Sequence, residues 1–150
     1  MIAGRSARPR PGRPIPRSTA SRIGVVASPC HDLLVTSVLI VDDHPTFRAT
    51  ARALLEAEGF DVVGEAENGA SGLEEARRLH PELVLLDVQL PDTDGFALAA
   101  RLTANGSGPD VILTSSRDAA DFGPLVAQSG ARGFVPKAEL SGAALSALLH

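Results

Sequence analysis

The sequence predicts an α/β fold, a doubly wound five-stranded parallel sheet in (βα)5 order. Two observations predict it. Five short apolar runs, at 38–41, 62–64, 83–86, 111–113 and 133–135, are continuous rather than alternating. Segments with apolar residues at helical spacing separate them. A strand apolar at every position is buried on both faces, as in a parallel sheet covered by helices.

In order, the run Val38, Leu39, Ile40 and Val41 is followed by a helical segment over about 46–58, with Phe47, Ala51, Leu54 and Leu55 on one side and Gly59 as a stop. The second run precedes a helix over about 70–80 that carries Leu73, Ala76 and Leu79. The third precedes one over about 95–104 with Phe96, Ala99 and Leu102. A fourth helix is expected over about 118–129, with a break or late start because Gly123 and Pro124 fall inside it. A short fifth helix over about 139–149 ends the pattern. Right-handed crossovers place such helices on both faces, which makes the fold flavodoxin-like.

Residues 1–36 stand apart. They hold six Arg, one Asp and five Pro with little periodicity, a composition that reads as a disordered Arg/Pro-rich extension. They are left out of the fold, and an upstream start codon assigned to the gene would account for them equally well. The remaining 114 residues carry eight Lys and Arg against 17 Asp and Glu, so the domain at 37–150 is acidic. That balance suits a cation site and not a DNA-binding surface. Cys30 is the single cysteine, which excludes an intrachain disulfide and leaves a reducing, cytoplasmic setting as the expectation. No apolar run approaches the roughly 18 residues of a membrane helix, so no membrane partner is expected.

In a doubly wound sheet, ligands bind beyond the carboxyl ends of the strands. Asp42 and Asp43 follow the first run, Asp87 the third, Ser115 and Ser116 the fourth, and Lys137 the fifth. Each alone reads as a solvated turn residue or a helix cap. Together they put three carboxylates on one edge, and such a cluster raises its own pKa values unless a cation neutralises it. Oxygen donors with room for water favour Mg2+ over zinc or copper.

The motifs that contain these residues resemble those of the receiver domains of two-component response regulators. Val38 to Pro45, with Asp42-Asp43-His44-Pro45, looks like the family's acidic opening. The stretch from Leu83 to Gly95, with Pro91 four positions after Asp87 and Asp94-Gly95 at seven and eight, looks like its phosphorylation motif. Val111 to Ser116 and Ser129 to Lys137 complete the match in the right order. The resemblance implies that Asp87 is the phosphoacceptor. It also implies that Asp42, Asp43, Asp87 and the backbone carbonyl of Gln89 hold Mg2+, and that Lys137 and the Ser115 hydroxyl bind the phosphoryl oxygens. Ser115 is chosen over Thr114 because it lies 22 positions before Lys137. Phe134 takes the place of the aromatic that turns inward on activation, while Gln89 and Arg117 occupy the positions that tune hydrolysis. His44 is read as a first-turn residue near the site, and none of the four His is needed as a donor.

Ala138 stands where many relatives have Pro, as in receivers of the NarL/FixJ type. Those ordinarily carry a helix-turn-helix domain, and only 13 residues follow Lys137 here. The expected partners are a sensor histidine kinase and a downstream protein. No DNA-binding domain is expected, and the face of helix 4, strand 5 and helix 5 is a candidate homodimer surface. The protein is expected to accept phosphoryl groups and lose them without being a turnover enzyme. Two alternatives remain. One is a haloacid-dehalogenase-like phosphatase built on Asp92-Thr93-Asp94-Gly95. The other is a receiver fold that binds partners without phosphorylation.

Overall fold

The computed structural model describes residues 35–117 and 121–149, so nearly all of the predicted extension at 1–36 lies outside the described residues. Five parallel strands form one sheet: β1 (Ser37–Val41), β2 (Asp61–Ala66), β3 (Leu83–Asp87), β4 (Asp110–Ser115) and β5 (Gly133–Pro136). Their order is β2-β1-β3-β4-β5, so the chain reverses its direction of progress between β1 and β3. That is where a doubly wound sheet opens a crevice at its carboxyl edge.

The helices are α1 (Pro45–Ala57), α2 (Gly69–Leu79), α3 (Gly95–Thr103), α4 (Leu125–Gln128) and α5 (Gly142–Leu149), with a 3-10 turn at Lys137–Glu139. Local chemistry accounts for their starts. Pro45 opens α1, where its missing N–H is no loss. Asn68 and Ser71 form a reciprocal capping box on α2, and Asp94 caps α3 by accepting from the Ala97 N–H at 2.7 Å.

The continuous apolar runs are resolved into two cores. Leu39, Val41, Val84, Leu86, Val111 and Leu113 face Leu98, Ala99 and Leu102 of α3 and Ala76 of α2. Val38, Ile40, Leu83, Leu85, Ile112 and Val135 face Ala51 and Leu55 of α1 and Leu145 of α5. Alternate residues of one strand therefore enter opposite layers, which is why neither face could tolerate a polar series.

Two expected elements differ from the observed ones. The helix expected over 118–129 is confined to Leu125–Gln128, because Gly123 takes a left-handed φ of 55° and Pro124 follows it. Residues 118–120 of that expectation lie outside the described ones. The helix expected over 139–149 begins at Gly142, since the chain after Lys137 first makes the 3-10 turn and then extends at Leu140.

Candidate functional site

The sheet carries its hydrogen bonding past the strand ends and so fixes the residues beyond them. The Asp42 N–H donates to the Ala66 carbonyl at 3.0 Å, and the Val88 N–H to the Thr114 carbonyl at 2.9 Å. Gly95 has its Cα against the chain just after Asp87. A Cβ there would overlap the Asp87 carbonyl oxygen and lie 2.8 Å from Val88 Cα, so a glycine is required for this close approach.

Asp42, Asp43 and Asp87 are brought together with His44: one ligand-type atom from each lies within 4.8 Å of all the others. Asp42 and Asp87 are buried, while Asp43 is exposed at the rim. Lys137 reaches them from β5, with Nζ 2.7 Å from Asp42 Oδ2 and 3.4 Å from Asp87 Oδ2. Its ammonium also sits 4.5 Å from the centre of the Phe47 ring, a cation-π contact that holds the side chain against α1. Asp87 Oδ1 accepts from the Gln89 N–H at 3.2 Å.

The charge balance at this edge is unequal. Burial first, and the Asp42 charge second, raise the Asp87 carboxyl from 3.8 to about 6 against the opposing pull of the Gln89 N–H and Lys137. Asp42 Oδ2 is fully buried and accepts no hydrogen bond of ordinary direction, although the Lys137 ammonium lies beside it. A carboxylate oxygen buried to this degree needs a cation beside it, which the Lys137 ammonium supplies at 2.7 Å. The donors here are mostly carboxylate oxygens at an edge open to water, a set that fits a hard divalent cation such as Mg2+.

The remaining predicted residues divide between the site and its surroundings. Ser115 is buried at the end of β4, and its Oγ accepts from the Arg117 N–H at 3.1 Å. Thr114, the neighbouring hydroxyl, is engaged elsewhere: its Oγ1 donates to the Val135 carbonyl at 2.7 Å and ties β4 to β5. Gln89 is exposed and pairs across the loop with Asp94. Arg117 has its guanidinium 5.9 Å from the Phe122 ring centre and 3.7 Å from Asp121. Phe134 is half-buried against Phe122, which in turn packs edge-on against Phe96.

Three contributors were not singled out from the sequence as part of the site. His44 stands before the first turn of α1, not within it. Its backbone N–H donates to Asp42 Oδ1 at 2.8 Å, and its ring Nδ1 lies 3.1 Å from Asp42 Oδ1 and 3.0 Å from Asp43 Oδ1. Arg48, one turn on, donates from one terminal nitrogen to the Asp42 carbonyl and from Nε to Glu65 Oε1, bracing the loop after β1 against β2. Asp92 accepts from the Gly69 N–H at 2.7 Å and the Ala70 N–H at 3.0 Å, clamping the loop after β3 to the start of α2. These backbone bonds hold its carboxyl below the usual range. The sequence signal that could have linked His44 and Arg48 is Pro45, which marks the helix start where the Arg48 N–H donates to the His44 carbonyl at 3.1 Å.

Known proteins resemble this chain in sequence and fold. The response regulator receiver domain family matches residues 38–148. A Bordetella pertussis chain described as the virulence-factor transcription regulator BvgA is 42% identical over 106 residues, which is 71% of this chain and 51% of that one. The chain thus spans about half the length of the curated relatives it matches. The signal receiver domain of the response regulator NarL from Mycobacterium tuberculosis superposes with a TM-score of 0.68 at 34% identity, covering 77% of this chain and 97% of that one. The BeF3-activated N-terminal receiver domain of Klebsiella pneumoniae RstA gives 0.65 at 32% identity, covering 75% and 94%. With the family spanning nearly all of the described fold, the chain belongs to the response regulator receiver domains of two-component systems.

Proposed function

We propose that residues 37–150 form a phosphoacceptor domain in which Asp87 takes a phosphoryl group and thereby controls a protein contact. The observation that carries this reading is the convergence of Asp42, Asp43, Asp87 and Lys137 at the carboxyl edge of the sheet. An Asp87 carboxylate oxygen attacks phosphorus in line, forming a new O–P bond as the bond to the donor breaks, and the departing group leaves with its electron pair and collects a proton. A phosphohistidine of a sensor kinase or a small acyl phosphate would serve as donor. Lys137, between two carboxylates, has its ammonium where an equatorial phosphoryl oxygen would come to lie. Asp42, Asp43, Asp87 and the Gln89 carbonyl would hold Mg2+, which when bound offsets the repulsion between two anionic reactants.

Ser115 is the hydroxyl suited to read the product, because its Oγ accepts from the Arg117 N–H in the loop after β4, whereas Thr114 is committed to β5. Movement of Ser115 would be felt by Phe134 and Phe122 through the ring contacts on that side, a two-state change driven by local charge. Arg117, now stacked near Phe122, is the tuning residue within reach of the same loop.

The phosphatase alternative loses its chemistry to local structure: Asp92 is engaged by two backbone N–H groups at α2, and Asp94 caps α3. The experiment that tests the proposal is incubation with acetyl phosphate and Mg2+ followed by phosphate-affinity electrophoresis of the wild type and Asp87→Asn. Retarded wild type and unretarded variant are expected. Equal retardation of both removes Asp87 from the role.

A further inference from the structure

Lys137, the single lysine of the sequence, reaches the acidic edge from β5, which lies at the border of the sheet with β4 between it and β3. Two kinds of contact hold its ammonium there. One is ionic, with Nζ 2.7 Å from Asp42 Oδ2 and 3.4 Å from Asp87 Oδ2. The other is with Phe47 in the first turn of α1, over whose ring Nζ stands 4.5 Å from the centre. The ring is itself partly buried against the core that Ala51 and Leu55 enter, which limits its movement.

The two contacts respond differently to a divalent cation. Asp42 and Asp87 are among the carboxylates that would bind it, and its charge offsets their pull on the ammonium and repels the ammonium directly. A lysine ammonium is strongly hydrated and rides on a flexible stem, so water at the open edge competes for it once that pull weakens. The face of the Phe47 ring attracts a cation through its quadrupole, binds no metal and leaves the ammonium N–H groups available for phosphoryl oxygens.

We propose that Phe47 is a positioning residue for phosphoryl transfer: its ring face retains the Lys137 ammonium beside Asp87 when the carboxylates are taken up by the divalent cation. The inference rests on Asp87 being the phosphoacceptor, and the test keeps the two claims apart.

The full chain is grown with isotope-labelled lysine, which marks Lys137 alone, and the ε-methylene proton shifts are followed by NMR through a Mg2+ titration. The rate of labelling by acetyl phosphate is measured in parallel. Wild type and Phe47→Leu are compared with proteins in which Phe47 alone is replaced by phenylalanine with increasing ring fluorination. Fluorine weakens the negative face of the ring with little change in shape, so this series carries the test should urea unfolding show Phe47→Leu to be poorly folded. The expected result is a Lys137 signal shifted upfield by the ring in the wild type, and still so at saturating Mg2+. Phe47→Leu should lose that shift and be labelled about three- to tenfold more slowly, with the fluorinated rings falling between in order of fluorine content. Fluorinated proteins labelled as fast as a labelled wild type, or a Lys137 signal that leaves the field of the ring on adding Mg2+, overturn the role of Phe47 alone. A wild type that takes no label overturns the phosphoacceptor reading and this role with it.

Discussion

Asp87→Asn is expected to stabilise the cation-free protein near neutral pH, and the gain is expected to vanish in acid. Asp87 is buried beside Asp42, and its carboxyl is raised from 3.8 to about 6. Each pKa unit is about 1.4 kcal/mol, so ionising Asp87 inside the fold costs at most about 3 kcal/mol relative to the unfolded chain. Solvent at the open rim beside Asp43 screens part of this, which brings the expected difference to about 1–2 kcal/mol. The sign follows from the direction of the shift. A carboxyl with a raised folded-state pKa favours the fold fully below about 3.8 and loses that contribution as pH rises through about 6. Asn does not titrate, keeps an oxygen for the Gln89 N–H, and leaves Lys137 its closer contact with Asp42. Urea unfolding of both proteins in EDTA at several pH values from about 4.5 to 7.5 measures the gap. A variant less stable than the wild type at neutral pH, or a gap that does not change with pH, refutes the reasoning.

The other predictions concern neighbouring positions. Lys137→Met leaves two buried carboxylates without their ammonium and should destabilise the cation-free fold by about 3 kcal/mol, a loss that saturating Mg2+ narrows; urea unfolding with and without Mg2+ checks it. Thr114→Val should cost about 1–2 kcal/mol through the orphaned Val135 carbonyl while acetyl phosphate still labels the protein at the wild-type rate. Ser115→Ala should do the reverse, slowing labelling with little change in the urea midpoint. Gly95→Ala forces the loop off the chain at Asp87 and Val88, and should lower stability by about 2 kcal/mol and abolish labelling together.

The parts of this molecule that the sequence made legible are those that depend on burial. β1 and β3 were read to within one residue because each apolar position in them enters one of two cores, while β4 extends beyond its apolar run through Asp110, Thr114 and Ser115. β2 runs three residues longer than its apolar run, since an edge strand can carry Asp61 and Glu65 toward solvent and still pair with β1. α4 is brief because Gly123 and Pro124 act on the backbone directly at its start and Gly130, at φ 85°, turns the chain soon after its end.

The site divides along the same line. Asp42, Asp43, Asp87 and Lys137 could be placed on one edge because a parallel sheet delivers all of its strand ends there. His44 was placed near the site but given no contact in it, and Arg48 and Asp92 were not assigned to it, because their contributions depend on rotamers and loop paths. The ring of His44 turns back over the carboxylates, and the guanidinium of Arg48 reaches the Asp42 carbonyl. Asp92 had suggested an enzymatic motif by its spacing, and the fold uses it to cap a helix 22 residues away in sequence.

The central claim is that a phosphoryl group becomes covalently attached to Asp87. Treating the acetyl phosphate-loaded protein with borohydride, which reduces an aspartyl phosphate to homoserine, and then mapping the peptides by mass spectrometry tests it most directly. Homoserine at position 87 alone, dependent on Mg2+ and absent in Asp87→Asn, is the predicted result. Homoserine at Asp42 or Asp43, or an unmodified Asp87 in a protein that nonetheless carries phosphate, would contradict it.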